Sequence, residues 1–274
     1  MKPRHLITYI VLILLTVSIV YPALWIVMSS LKEGNSLYSE TLIPKKFTLA
    51  HYKELFTSTR YQYAQWYMNT IKVAVISAIL GTLMTLLGSY AMARFRFVGR
   101  KFGLTGMLVL NMFPSFMSLV AIYILMLQFN LLNSHWALIL VYSSGAFISN
   151  VFVAKGFYDT IPRSLEEAAR IDGASNWKVF TSVMVPLSKP MLTYVSLVIF
   201  NGAWVDFIFA RLILRTEDKS TLAVGLYNIV NQQTSTDFTF FAAGAVLLAI
   251  PVLVLFIWLQ RFLVEGLTSG ASKG

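Results

Sequence analysis

Six apolar runs recur along the 274 residues, and nothing else in the sequence restricts the fold as strongly. They cover residues 7–28, 68–92, 102–126, 136–153, 190–212 and 238–262. Each comes close to the ~20 residues that a helix needs to cross the hydrocarbon core of a bilayer. The runs are continuous rather than alternating, which excludes an outer-membrane barrel. A spanning segment must satisfy its own backbone hydrogen bonds, so each run is expected to be a helix. Composition agrees, with 57% hydrophobic and only 12% charged residues. Soluble domains carry about 25% charged residues. The expectation is an all-α membrane protein of about six transmembrane helices forming one transmembrane domain over residues 1–274.

The first run follows Lys2 and Arg4. It is long for the apolar core of a signal peptide, and further spans follow, so we read it as an uncleaved first helix. Lys72 lies near the outer end of the second run, where a long side chain can snorkel. That run closes on Arg94, Arg96, Arg100 and Lys101, whereas the turn 127–135 has no Lys or Arg. Short loops rich in Lys and Arg stay in the cytoplasm. With six spans, both termini are expected there too. This leaves 29–67 and 213–237 as external loops, 155–189 as a cytoplasmic segment and 263–274 as a cytoplasmic tail. The net charge of +10 thus reads as membrane topology and not as nucleic-acid binding.

There is no cysteine, and His5, His51 and His135 are far apart with no metal-binding spacing. A metal site is not expected. No G-x-x-x-x-G-K-[ST] sequence is present, so the chain has no phosphate cradle for ATP. The glycine-rich tail follows no strand and is not read as one either.

The most informative stretch is Ile161–Pro190, IPRSLEEAARIDGASNWKVFTSVMVPLSKP. Thr160 is a candidate cap, and Pro162 suits an early helical position. Leu165, Ala168 and Ala169 recur at helical spacing, and Glu166 and Glu167 suit the positive end of the dipole. Asp172-Gly173 ends the helix, and Ser175 or Asn176 can cap a second one running to Val185. Pro186 and Pro190 mark entry to the fifth span. The result is a helix-turn-helix elbow between two spans. Its small residues and acidic pair suit docking by another protein. The alternative is a helix lying on the bilayer, but a Glu- and Ala-rich helix is poorly suited to anionic lipid.

Glu167-Ala168-Ala169, Gly173, Val183 and Val185-Pro186 resemble the EAA motif of binding-protein-dependent ABC importer permeases. That family usually has Ile and Leu at the positions of Val183 and Val185. Ser89-Tyr90-Ala91-Met92-Ala93-Arg94-Phe95 resembles the ending of the family's second span. Leu214-Arg215, Thr221–Gly225 and Gly266–Gly274 resemble the MalG-type subunits of maltose and maltodextrin importers. The resemblance implies a transport subunit with no catalytic site and no bound cofactor, working with ATP and Mg held by two separate cytoplasmic ATPases. It implies a second, MalF-type permease and an external sugar-binding protein as further partners, within membrane lipid. Glu166, Glu167, Ala168, Ala169, Asp172 and Gly173 would dock the ATPase. Gly266, Gly270, Lys273 and Gly274 would lie in a tail between the two ATPases. Arg215, Thr221, Gly225, Asn228 and Asn231 would lie in the loop that meets the binding protein. Where many sugar permeases have Trp-Asn-Asp/Glu-Phe, this sequence has Trp204-Val205-Asp206-Phe207.

Asn201, Trp204 and Asp206 are the candidates for contact with sugar. Asp206 is expected rather to pair with Arg211. Asn69, Asn111, Asn150 and Asn201 read first as residues that join helices. Pro22, Pro114 and Pro251 are expected to shape helices, and Trp66, Tyr67, Trp136 and Trp258 to anchor them at the interface. Two other classes compete. An ion-gradient transporter would show repeated halves and a buried ionisable pair, and a membrane enzyme would show converging catalytic side chains. The sequence shows neither.

Overall fold

The computed structural model describes residues 3–35, 42–58, 60–231 and 237–271. Among these, regular structure is helical apart from one isolated antiparallel bridge, Lys32 to Phe47. The order is α1 (Pro3–Ser30), α2 (Ala50–Thr57), α3 (Tyr63–Arg94), α4 (Arg100–Met112), α5 (Ser115–Gln128), α6 (His135–Thr160) and α7 (Ser164–Ile171). There follow α8 (Asn176–Val179), a π-turn (Phe180–Met184), α9 (Val185–Leu187), α10 (Lys189–Val205) and α11 (Ile208–Ile213). A 3-10 turn (Glu217–Lys219), α12 (Leu222–Val230) and α13 (Phe238–Ala271) complete the chain.

Among the described residues, four stretches are long and apolar enough to cross a membrane: Ile7–Ser30, Tyr63–Arg94, His135–Thr160 and Phe238–Arg261. Two further candidates are bent pairs, α4 with Phe116–Gln128 at 109°, and Asn176–Leu187 with α10 at 74°. If each pair counts as one span, the number is six. The bend after α4 is far sharper than a proline kink. Pro114 has no N–H and drives the preceding Phe113 into extended geometry, with φ −76° and ψ 132°, so the helix stops and restarts. The fifth apolar run is also interrupted. Asp206 is extended, and α10 ends before it at Val205.

The chain folds as two compact units. The first combines Met1–Tyr67 with Leu222–Pro251. Its core holds Leu55, Tyr61, Tyr63, Trp66, Leu222, Leu226, Ile229, Phe240 and Ala243. Residues 222–230, read as loop from the sequence, are an apolar helix packed into this core. Gly225 is required there, because a Cβ would lie 2.1 Å from the buried Trp66 ring. Arg60 Nη1 and Tyr61 Oη both donate to Asp237 Oδ2, at 3.2 and 3.1 Å. Burial, followed by the charge of Asp237, pushes the Tyr61 hydroxyl up to about 12.

The second unit combines Met68–Thr221 with Val252–Gly274. Its core gathers Tyr90, Ala93, Ala154, Tyr158, Ile161, Phe180, Met184, Met191, Val195 and Ile199. Small residues let its helices approach: a Cβ on Gly88 would lie 2.4 Å from the Phe147 ring. Asn111 Nδ2 donates to Ile148 O at 2.9 Å, joining α4 to α6. Asn69 Nδ2 donates to Asp218 O and Ser220 O at 2.8 and 2.9 Å, fixing the 3-10 turn to α3. Asn150 Nδ2 stays within α6, on Ala146 O at 2.8 Å.

Candidate functional site: an exposed elbow locked to a spanning helix

The elbow forms between α6 and α10, but its first helix begins later than the sequence suggested and its second is broken by the π-turn. Thr160 does not cap α7. It is the last residue of α6, and its hydroxyl donates back to Phe157 O at 2.7 Å. Arg163 takes the cap position with no side-chain bond. Its carbonyl accepts the N–H groups of Glu166 and Glu167, both at 3.0 Å. The other end is closed as expected. Gly173 has φ +82°, Gly173 N bonds Arg170 O and Ala174 N bonds Ala169 O, both at 3.0 Å. This is a Schellman ending, and it needs the left-handed glycine. Ser175 caps α8, its Oγ accepting from Lys178 N at 3.3 Å.

The two glutamates separate. Glu166 turns inward and is 3% exposed, whereas Glu167 faces out. Arg94 Nε, at the end of α3, pairs with Glu166 Oε1. Arg94 Nη2 also donates to Ile161 O at 2.8 Å, and Tyr90 Oη donates to Glu166 Oε2 at 3.3 Å. Arg170 Nη2 lies 3.9 Å from the same carboxylate. Glu166 therefore does not belong to the outward docking set expected from sequence, because groups of its own chain occupy its carboxylate. It locks α7 to α3.

Leu165, Glu167, Ala168 and Asp172 are exposed, and Ala169 is half-buried. Ile171 is 86% exposed and Trp177 67% exposed. Bulky apolar groups held open on a polar segment mark a surface for a partner. Sequence reasoning missed Ile171 and Trp177, although Ile171 lies on the same helical stripe as Ala168. It also counted Arg94 only as a charge marking the cytoplasmic side and as part of the span ending.

The other expected residues divide in the same way. Arg215 is exposed, with Nη2 on Tyr123 Oη at 2.6 Å and its N–H on Asn133 Oδ1 at 3.0 Å. Asn231 is exposed and Asn228 half-buried. Thr221 and Gly225 are interior, which removes them as contacts for an outside protein. Asp206 does not pair with Arg211: its Oδ2 accepts from Tyr142 Oη at 2.7 Å and Ala210 N at 2.8 Å, which starts α11. Trp204 is buried and stacked on Phe200, and Asn201 is exposed. Gly266 and Gly270 lie in α13, while Lys273 and Gly274 fall outside the described residues.

Residues 84–269, well over half the chain, match the family described as "Binding-protein-dependent transport system inner membrane component". The chain belongs to this family. It is a multi-pass membrane permease subunit of an ABC importer, and members of the family are transport subunits rather than enzymes. The chain is similar to the galactooligosaccharides transport system permease protein GanQ of Bacillus subtilis, 45% identical over 99% of this chain and 96% of that one. It is also similar to the maltose/maltodextrin transport system permease protein MalG of Salmonella typhimurium, 39% identical over 100% of this chain and 97% of that one. The MalG-type resemblance in the sequence is therefore correct. The fold matches a crystal structure of a bacterial ABC transporter that imports the acidic polysaccharide alginate, with a TM-score of 0.84, 21% identity and coverage of 95% and 96%. Nothing in these relationships supports an ion-gradient transporter.

Proposed function

We propose that this permease forms half of the translocation path of an ATP-driven importer for an oligosaccharide of the maltose, maltodextrin or galactooligosaccharide class. The names of the similar permeases support that substrate class. Two separate ATPases bind ATP and Mg and hydrolyse the ATP, a second permease completes the path, and an external binding protein delivers the sugar. Both termini and the elbow face the cytoplasm, with the end of α13 (Gly266, Gly270) leading toward the ATPases. Arg215 and Asn231 remain exposed on the segment assigned to the binding protein.

The observation that carries this reading is the open face of α7. Glu167, Leu165, Ala168 and Ile171 point away from the chain's own core, while Glu166 is gripped from within. A face anchored on one side and unpartnered on the other suits an ATPase with a basic, apolar-lined cleft. Glu167 then acts as its charged contact. Replacing it with Lys should weaken ATPase co-purification by about 2–5 kcal/mol while membrane insertion survives, since truncating one partner of a desolvated pair costs that much. Unchanged co-purification and unchanged uptake would remove the docking role.

A further inference from the structure

A second charged feature follows Arg94 along the chain. A cleft of about 520 Å³ is lined by Arg96, Phe97, Arg100, Lys101, Leu104 and Lys155. Lys155 Nζ is bound to Asp159 at 2.5 Å. Arg96, Arg100 and Lys101 have no carboxylate partner among the described residues. Arg100 and Lys101 also occupy the first turn of α4, which contains no acid and follows a left-handed Gly99 with no side-chain cap. Cations at the positive end of a helix are unfavourable by themselves. Uncapped N–H groups and three open cations together call for an anion.

Charge is only half of the pattern. Val98 is fully exposed and Phe102 is 84% exposed, with Phe97 beside them. Apolar groups interleaved with cations at the end of a spanning helix match the boundary between headgroups and acyl chains. A soluble phosphate would need no such apolar rim. We propose that this cleft binds the phosphodiester headgroup of an anionic phospholipid, with its acyl chains along Phe97, Val98 and Phe102. The site is separate from the docking face and does not depend on the importer reading.

The test uses the assembled importer, delipidated and titrated with phosphatidylglycerol or phosphatidylcholine, with bound lipid read by native mass spectrometry. Each basic group near a membrane surface contributes about a fivefold preference for anionic lipid, so the triple variant R96Q/R100Q/K101Q should bind phosphatidylglycerol about a hundredfold more weakly. K53Q, which removes an exposed charge far along the chain, should change nothing. The single variant R96Q, expected to lose about fivefold, keeps the test open if the triple variant does not assemble. Equal retention of phosphatidylcholine, or displacement by millimolar inorganic phosphate, would overturn the proposal. So would loss of an ATPase subunit from the triple variant with its lipid unchanged, which would make the cleft a protein contact.

Discussion

Removing Arg94 should cost far more than removing Arg94 and Glu166 together. The pair is nearly closed off from solvent, its side chains 6% and 4% exposed. Breaking such a pair by deleting one partner typically costs about 3–5 kcal/mol, because the remaining charge is stranded. Two features soften that figure: Tyr90 Oη still donates to Glu166, and Arg170, 46% exposed, can move in from 3.9 Å. We therefore expect R94Q to cost about 3 kcal/mol, near the lower end of that range. The double variant R94Q/E166Q keeps the shape and an amide hydrogen bond, and should cost about 1 kcal/mol. With E166Q, these form a double-mutant cycle whose coupling energy should be at least about 2 kcal/mol, because the double variant loses that much less than R94Q alone. For a domain of this size, 1 kcal/mol shifts Tm by about 2–4 °C, so R94Q should melt roughly 6–12 °C below the parent. The melt is read by fluorescence-detected size exclusion of the solubilised complex. If the single-variant costs simply add, the two charges do not act as one lock, and the anchoring of α7 to α3 must come from packing alone.

Three further outcomes follow from the geometry. G225A should lower stability by about 1–3 kcal/mol, because the buried Trp66 ring cannot retreat from a Cβ 2.1 Å away; an unchanged melting temperature would count against this packing. D206A should cost about 1–3 kcal/mol by leaving Tyr142 Oη and Ala210 N without their acceptor, whereas D206N should keep sugar uptake near the parental level. A D206N protein that folds normally but no longer transports would return Asp206 to the sugar path. The folded Tyr61 hydroxyl titrates at about 12 against an ordinary value of 10.0, so its contribution is complete below pH 10 and is lost as pH rises through about 12. Tyrosinate absorbance and melting temperature should change together over that window, and Y61F should flatten the dependence of stability on pH.

Hydropathy alone exposed the apolar runs, since a bilayer leaves the backbone few choices. It could not show that Phe113-Pro114 turns the chain through 109°, because a proline in an apolar run is compatible with a gentle kink. The apolar stretch Leu222–Val230 was short and followed by polar residues, which disguised a buried helix as loop. In the elbow, the Gly173 ending and the Ser175 cap were readable because each depends on residues adjacent in sequence. The division of labour between Glu166 and Glu167 was not. It depends on Arg94, which lies 72 residues earlier and meets Glu166 only once α3 and α7 have packed. The same holds for Asp206, whose partner Tyr142 lies 64 residues away, while Arg211 offered a nearer but unused charge.

The π-turn at Phe180–Met184 gives the linker one residue more than a regular helix would use. Each residue advances a helix by roughly 100°, so losing one here would swing α7 around relative to α10 by more than a quarter turn. In this stretch, chain length should be under tighter constraint than chemistry. A swap at the exposed Ser182 should pass almost unnoticed, whereas deleting that single codon should point the elbow's outer face away from anything positioned to receive it.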